Sequence, residues 1–159
     1  ILAAPFVFVF SIIDNIIGIY HSVYVTILSF MYLSGYISMR IYDYVLLHSI
    51  VYNFNDGLKQ IKYNKKLKNE MLLHHFILIL SIVFKKIVYF ETTYTYYLSI
   101  NFLTEISTPT LNLSQILYYM NRSNTILFKI CTVITFILYF LIRFQTVTRF
   151  IPRICAAWD

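Results

Sequence analysis

Long apolar runs without charge recur along this chain, and they constrain its fold more than any other feature. The runs AAPFVFVFSII (3–13), FILILSIVF (76–84) and TVITFILYFLI (132–142) do not alternate apolar and polar residues as a membrane β-strand would. Hydrophobic residues make up 59% of the chain and charged residues 13%, whereas a soluble domain has about 25% charged residues. The sequence therefore predicts an all-α protein that crosses a membrane several times.

The chain length sets the expected number of membrane crossings. At roughly 20 residues per crossing, 159 residues allow about five transmembrane helices in a single domain and a single bundle. We predict that these spans lie near residues 1–20, 31–52, 71–88, 93–119 and 125–144. A short partial helix from Val23 is expected to precede the second span. A polar turn, MNRSN (120–124), separates the last two. Because the chain opens at Ile1 without an initiating Met, we expect it to be truncated at its N-terminus.

A basic segment between the second and third spans indicates how the chain is oriented. The stretch DGLKQIKYNKKLKNE (56–70) contains five lysines: Lys59, Lys62, Lys65, Lys66 and Lys68. The positive-inside rule places this loop on the cytosolic side, or on the equivalent side of an organelle, where it would also meet anionic headgroups. Lys85 and Lys86, at the end of the third span, are expected to extend to the membrane surface.

Several classes of function find no support in the sequence. Cys131 and Cys155 fit no metal or redox spacing, and there is no P-loop, so we predict neither a metal nor a cofactor. No base-stacking module accompanies the lysines, which argues against a nucleic-acid partner. A transporter or channel is disfavoured because paired repeats are absent and only three glycines occur.

Two clusters of ionisable residues lie inside the predicted spans, where such groups are costly and often functional. In SGYISMRIYDYVLLH, Tyr36, Arg40 and Asp43 are spaced four and three apart and share one helical face. Arg40 and Asp43 are expected to pair locally, either as a structural ion pair or as part of a site. In EMLLHHFILI, His74 and His75 point about 100° apart on a helix, so one can enter the bundle while the other packs sideways.

A polar stripe runs along the fourth predicted span. Its members follow steps of four and three residues: Asn101, Glu105, Thr108, Asn112, Gln115 and Tyr119. Pro109 cannot donate a hydrogen bond to the carbonyl four residues back, which predicts a kink and an unbonded carbonyl at Glu105. Interhelical hydrogen bonding would explain a stripe, but a carboxylate beside a proline kink favours a functional role.

The order of these features resembles the TLC-domain family, which includes ceramide synthases, translocon-associated TRAM proteins and smaller TLC-domain proteins. The matching elements are GYISMRIYD, the basic loop, MLLHH and FLTEISTPTLNL, within about residues 35–145. The run E-x-S-T-P-x-x-N is most similar to the smaller branch. The resemblance implies a helical bundle around a lipid-accessible cavity. It also implies residence in the endoplasmic reticulum, although the truncated start leaves the mitochondrial inner membrane open.

The same resemblance suggests a chemistry for the histidine pair. In ceramide synthases the paired histidines belong to the motif for acyl transfer from coenzyme A, and by position they map onto His74 and His75. In ceramide synthases the motif continues after the paired histidines to an acidic segment of the form HD…D. This chain departs from that motif, since no histidine follows His75, and Glu105 stands nearest the place where the acidic segment would contribute.

Two functions follow as hypotheses. The first is a protein that binds, senses or modifies a membrane lipid, with acyl transfer as the reaction if it is an enzyme. Its expected catalytic residues are His74, His75, Glu105 and Asp43. Its expected lipid-binding residues are Tyr36, Arg40, Asn101, Thr108 and Asn112. The alternative is a non-catalytic subunit of a larger membrane complex that binds phospholipid and has protein partners.

Overall fold

The computed structural model describes residues 3–63, 68–85 and 91–156, and the regular structure in these ranges is entirely helical. Six α-helices and one 3-10 helix follow one another in this part of the chain. They are α1 (Ala3–Leu33), α2 (Met39–Tyr63), α3 (Lys68–Lys85), α4 (Glu91–Phe102), the 3-10 helix (Leu103–Ser107), α5 (Thr108–Tyr119) and α6 (Ile126–Ala156). The all-α prediction is confirmed.

The first two predicted segments have different boundaries in the structure. The first span and the partial helix from Val23 form one continuous helix, α1, because no proline or glycine interrupts residues 19–33. Helix α2 then begins at Met39 and extends through half of the basic segment to Tyr63, which is consistent with the high helix propensity of lysine. Lys65, Lys66 and Lys86 lie outside the described residues.

The α1–α2 and α5–α6 connections begin with the same type of helix cap. After α1, Gly35 adopts φ +77°, its N–H donates to Tyr32 O at 3.0 Å, and Tyr36 N–H donates to Met31 O at 2.8 Å. After α5, Asn121 takes the left-handed position with φ 57°, inside the predicted polar turn. Both are Schellman motifs, in which a left-handed residue lets the last carbonyls of the helix find donors.

The described chain forms two compact units. The hairpin unit comprises Ile27–Ile100 and the terminal unit comprises Ile1–Thr26 with Asn101–Asp159. In the hairpin unit, α2 and α3 pack side by side. Apart from the adjacent Val45 and Leu46, their buried residues recur every three or four positions, as in a coiled-coil seam: Tyr42, Val45, Leu46, Ser49 and Asn53 on α2, and His75, Leu78, Ile82 and Lys85 on α3.

The terminal unit is organised around α6, which packs against α5 and the 3-10 helix. Thr135 on α6 donates a hydrogen bond to the Thr110 hydroxyl on α5 at 2.8 Å. Leu117 and Cys131 are buried in this unit. Most of the apolar side chains of α6 are exposed instead, with Phe136 at 70% and Phe140 at 58%. Such a surface suits contact with lipid rather than water.

Among the described helices, the segment Val9–Leu33 is long and apolar enough to cross a membrane. Two further segments, Leu72–Lys85 and Ile126–Ile142, are apolar but shorter. Helix α2 is less apolar because it carries polar residues both on its buried seam, as at Ser49 and Asn53, and on its surface, as at Arg40 and His48. Apolar side chains are nevertheless exposed along its whole length, with Arg40, His48 and Asn55 exposed among them: Ile41, Tyr44, Leu47, Val51, Phe54, Leu58 and Ile61. This face extends about 30 Å at 1.5 Å per residue, which matches the hydrocarbon thickness of a bilayer.

The two glycines of the hairpin unit provide a matched test of this backbone. We expect Gly35→Ala to destabilise the protein by about 1–2 kcal/mol, because an alanine at φ +77° is strained although no atom lies within 4 Å of its Cβ. We expect Gly57→Ala to be neutral or to stabilise by up to about 1 kcal/mol, since it lies inside α2 and its Cβ would meet Leu72 Cδ2 at an ordinary 3.8 Å. Thermal unfolding in detergent measures both changes. Equal effects of the two substitutions would contradict the Gly35 cap.

Candidate functional site

The buried imidazole of His75 forms a polar contact between α3 and α2, which we call the histidine rung (Asn53, Asp56 and His75). His75 is 8% exposed. Its Nδ1 lies 2.5 Å from Asn53 Oδ1 and its Nε2 lies 2.9 Å from Asp56 Oδ2. Asn53 and Asp56 are three residues apart on α2, so both face α3. The rung therefore gives both ring nitrogens of His75 an oxygen partner from the neighbouring helix.

His74 points in a different direction from His75. Its side chain is exposed, and the two rings, with centroids 5.7 Å apart, are inclined by 58°. This agrees with the prediction that adjacent histidines on a helix would separate, one inward and one sideways. Of the pair, His74 is the one that a molecule outside the bundle can reach.

A second polar contact, which we call the lysine rung (Asp43 and Lys85), joins the other end of the two helices. Lys85 is 1% exposed, and its ammonium donates a hydrogen bond to Asp43 Oδ1. The expectation that Lys85 would extend to the membrane surface is therefore wrong. The expected local partner of Asp43, Arg40, is exposed in the first turn of α2. The Asp43 carboxylate is thus paired with a cation on the adjacent helix rather than with one on its own helix.

The two rungs share one antiparallel register. His75 is 22 residues from Asn53 and Lys85 is 42 residues from Asp43, and both pairs are centred on position 64. Asp43 and Asn53 are separated by about 15 Å along α2 at the helical rise.

Asp56, and not Asp43, is the carboxylate that contacts His75. Sequence reasoning missed Asn53 and Asp56, although their spacing of three, just before the basic segment, is a detectable signal.

A group of hydroxyls surrounds Tyr42 within the hairpin unit. Tyr42 is fully buried, its hydroxyl lies 2.7 Å from Ser29 Oγ and is also hydrogen-bonded to Ser99, and its ring stacks on Tyr32 at 4.6 Å. These contacts tie α1 and α4 to α2. Tyr36, by contrast, is 78% exposed in the turn before α2. With Arg40 exposed as well, these two predicted lipid-binding residues lie on the surface of the hairpin unit.

The polar stripe of the terminal unit crosses a break in the helix. It begins at Asn101 in α4, passes Glu105 in the 3-10 helix and continues from Thr108 along α5. Pro109 occupies the first turn of α5, so the chain is interrupted there, as predicted. The Glu105 carbonyl, however, accepts the Thr108 N–H. The expectation of an unbonded carbonyl is wrong, because the tighter 3-10 spacing supplies a donor three residues on.

The stripe side chains are half-buried or exposed rather than packed inside the unit. Glu105 is half-buried and accepts a hydrogen bond from the Thr108 hydroxyl at 2.8 Å. Asn112 is half-buried, and Asn101 is exposed. The buried polar residues of this segment, Ser107 and Ser114, each precede a stripe position by one residue. They therefore lie about 100° away around the helix. The stripe is thus distinct from the face that carries these buried side chains.

Apolar outer faces with paired ionisable groups between the helices define this chain as a helical membrane protein. The profile of the TLC domain matches residues 6–158, and the chain therefore belongs to the TLC-domain family, whose members are membrane proteins with lipid-related functions. No curated protein and no solved structure matches the chain. Among the described residues, no three His, Cys, Asp or Glu side chains converge as metal ligands would.

The lysine rung can be tested by removing its charges singly and together. Lys85→Met leaves the partly buried Asp43 carboxylate without its cation and should destabilise the protein by up to about 3 kcal/mol. The double variant Lys85→Met/Asp43→Leu should be more stable than Lys85→Met, because no uncompensated charge remains. Lys129→Met removes an exposed lysine of α6 and is the control. Unfolding curves in mixed micelles measure the changes; additive losses in the double variant would contradict the pairing.

Proposed function

We propose that this protein binds a membrane lipid through the polar stripe of its terminal unit. The single observation that carries the proposal is the half-buried Glu105 carboxylate, which accepts a hydrogen bond from Thr108, with half-buried Asn112 one helical turn beyond Thr108. An ionisable group in such surroundings is costly unless it has a partner. A lipid headgroup with hydroxyl or amine donors supplies that partner.

The lipid-binding proposal assigns a role to each part of the stripe. Carboxylate and amide oxygens of Glu105 and Asn112 accept hydrogen bonds from the headgroup, and Asn101 is positioned one turn earlier. At the 3-10 helix Ser107 is buried in the unit, while Glu105 and Thr108 on either side of it remain half-buried. The exposed apolar residues of α6 offer contacts for acyl chains. Tyr36 and Arg40 would contact headgroups at the surface of the hairpin unit.

Acyl transfer is the second candidate, and the exposure of His74 favours it. An imidazole nitrogen of His74 would attack the thioester carbonyl of an acyl-coenzyme A, forming a C–N bond as the C–S bond breaks. The thiolate takes the proton that the imidazole releases and leaves as coenzyme A. A lipid hydroxyl or amine then accepts the acyl group and returns a proton to the imidazole.

The non-catalytic alternative, a subunit of a membrane complex, is favoured by the engagement of both His75 nitrogens in the histidine rung.

As a cellular location for any of these roles we propose the endoplasmic reticulum, with the mitochondrial inner membrane as the alternative. Fractionation of cells that express a tagged full-length chain distinguishes the two.

Lipid binding at the stripe is tested by native mass spectrometry of the purified protein with the lipids that it retains. We expect the double variant Glu105→Gln/Asn112→Leu to lose about tenfold in lipid occupancy, since it weakens two headgroup hydrogen bonds. Thr132→Val is the matched control, because the Thr132 hydroxyl is exposed and donates to Phe128 O of its own helix at 2.9 Å. Unchanged occupancy in the stripe variant would refute binding at this position.

Acyl transfer is tested with palmitoyl-coenzyme A and intact-protein mass spectrometry after a rapid quench. We expect a mass increase of one acyl group in the wild-type protein and its loss in His74→Gln. His48→Gln, which alters another exposed histidine of the hairpin unit, should leave the adduct in place. If no adduct forms in the wild type, and the protein is isolated from native membranes in a stable complex, the non-catalytic subunit is supported instead.

A further inference from the structure

The histidine rung constrains the number of protons that His75 holds. Asn53 Nδ2 donates a hydrogen bond to the Ser49 carbonyl at 2.7 Å. This contact fixes the orientation of the Asn53 amide, because the reversed amide would bring two oxygens together. Asn53 therefore presents Oδ1, an acceptor, to His75 Nδ1 at 2.5 Å. His75 Nδ1 must carry a proton to make this hydrogen bond.

The second ring nitrogen faces an acceptor as well. His75 Nε2 lies 2.9 Å from Asp56 Oδ2. An ionised carboxylate and an unprotonated ring nitrogen would place two lone pairs against each other at that distance. One proton must lie between them, on the imidazole or on the carboxyl group. The burial of His75 makes an unsatisfied contact here costly.

We infer that Asp56 and Asn53 are positioning residues that hold His75 with both ring nitrogens engaged and with one proton shared between His75 and Asp56. The two histidines of the HH pair then differ in chemical role. His75 links α3 to α2 and presents no lone pair to a substrate, whereas the imidazole of His74 is exposed at the surface of α3. This inference does not depend on lipid binding at the stripe, because it concerns only the hairpin unit.

The surroundings of the rung support a fixed geometry. Gly57 follows Asp56 and is buried, and a Cβ on Gly57 would lie 3.8 Å from Leu72 Cδ2 of α3. This is an ordinary van der Waals separation, so α3 packs directly against α2 next to the imidazole and its two partners. The chain Ser49–Asn53–His75–Asp56 is thus a connected network with polar partners at each step.

Nitrogen NMR of the protein labelled with ¹⁵N-histidine, in lipid nanodiscs near neutral pH, tests the inference on the wild type. We expect the His75 signal, assigned by its loss in His75→Gln, to show a proton at or shared with each ring nitrogen. In Asp56→Asn the amide can donate to Nε2, so we expect a neutral His75 with its proton on Nδ1. Asp14→Asn, a carboxylate change in the terminal unit, is the control and should leave the signal unchanged.

Chemical modification gives an independent measurement. Diethyl pyrocarbonate attacks unprotonated, accessible imidazole nitrogen, and peptide mass spectrometry of the His74→Gln and His75→Gln variants reports each site separately. We expect His75 to react at least about tenfold more slowly than His74, because a charge-assisted hydrogen bond must break first. Asp56→Ala should remove that protection. Two results would each overturn the inference: a wild-type His75 with an unprotonated nitrogen that shares no proton, or equal reaction rates at the two histidines.

Discussion

The pairing of polar side chains across α2 and α3 is the constraint on which the hairpin unit depends. Inside hydrocarbon the hydrophobic effect does not favour one helix register over another, because lipid tails are as apolar as the side chains they replace, which leaves packing and polar contacts to select the register. Charged and hydrogen-bonding groups do discriminate. Sliding α3 by one residue would separate Lys85 from Asp43 and His75 from Asp56 together, and each group would be left in surroundings that penalise it. The two rungs therefore specify the register that the apolar seam tolerates.

The same arrangement explains why the mean hydropathy of α2 is low for a membrane helix although its packing suits one. Ser49 and Asn53 lie buried on the seam while most of its exposed large side chains are apolar, although Arg40 and His48 are exposed too; a helix on the surface of a soluble protein has the opposite bias. An average over the whole helix mixes the two faces and gives an intermediate hydropathy. The distribution of residues around the helix, and not the mean, shows which solvent α2 is built for.

Composition and local spacing were sufficient to predict the helical class, the polar turn at 120–124, the different directions of His74 and His75 and the break near Pro109. They were insufficient for contacts between helices. The partners of Asp43 and His75 follow from the centre of the hairpin at position 64, which no local pattern reveals. Arg40 was the nearest cation to Asp43 in sequence, whereas Lys85 is its partner in space. Likewise, proline chemistry predicted the break but not the 3-10 spacing that supplies Glu105 with a donor.

Adjacent histidines in a helix place one imidazole on each of two faces, and in a membrane bundle those faces differ in solvent. The buried position must find partners on the neighbouring helix, since an unsatisfied imidazole there is costly. Asn53 and Asp56 meet that requirement for His75. Both nitrogens of the buried ring are then engaged in contacts between the helices, while the ring of His74 stays exposed on another face of α3. An HH pair in such a hairpin thus combines a buried histidine that links two helices with an exposed one, and any chemistry at the pair would belong to the exposed histidine.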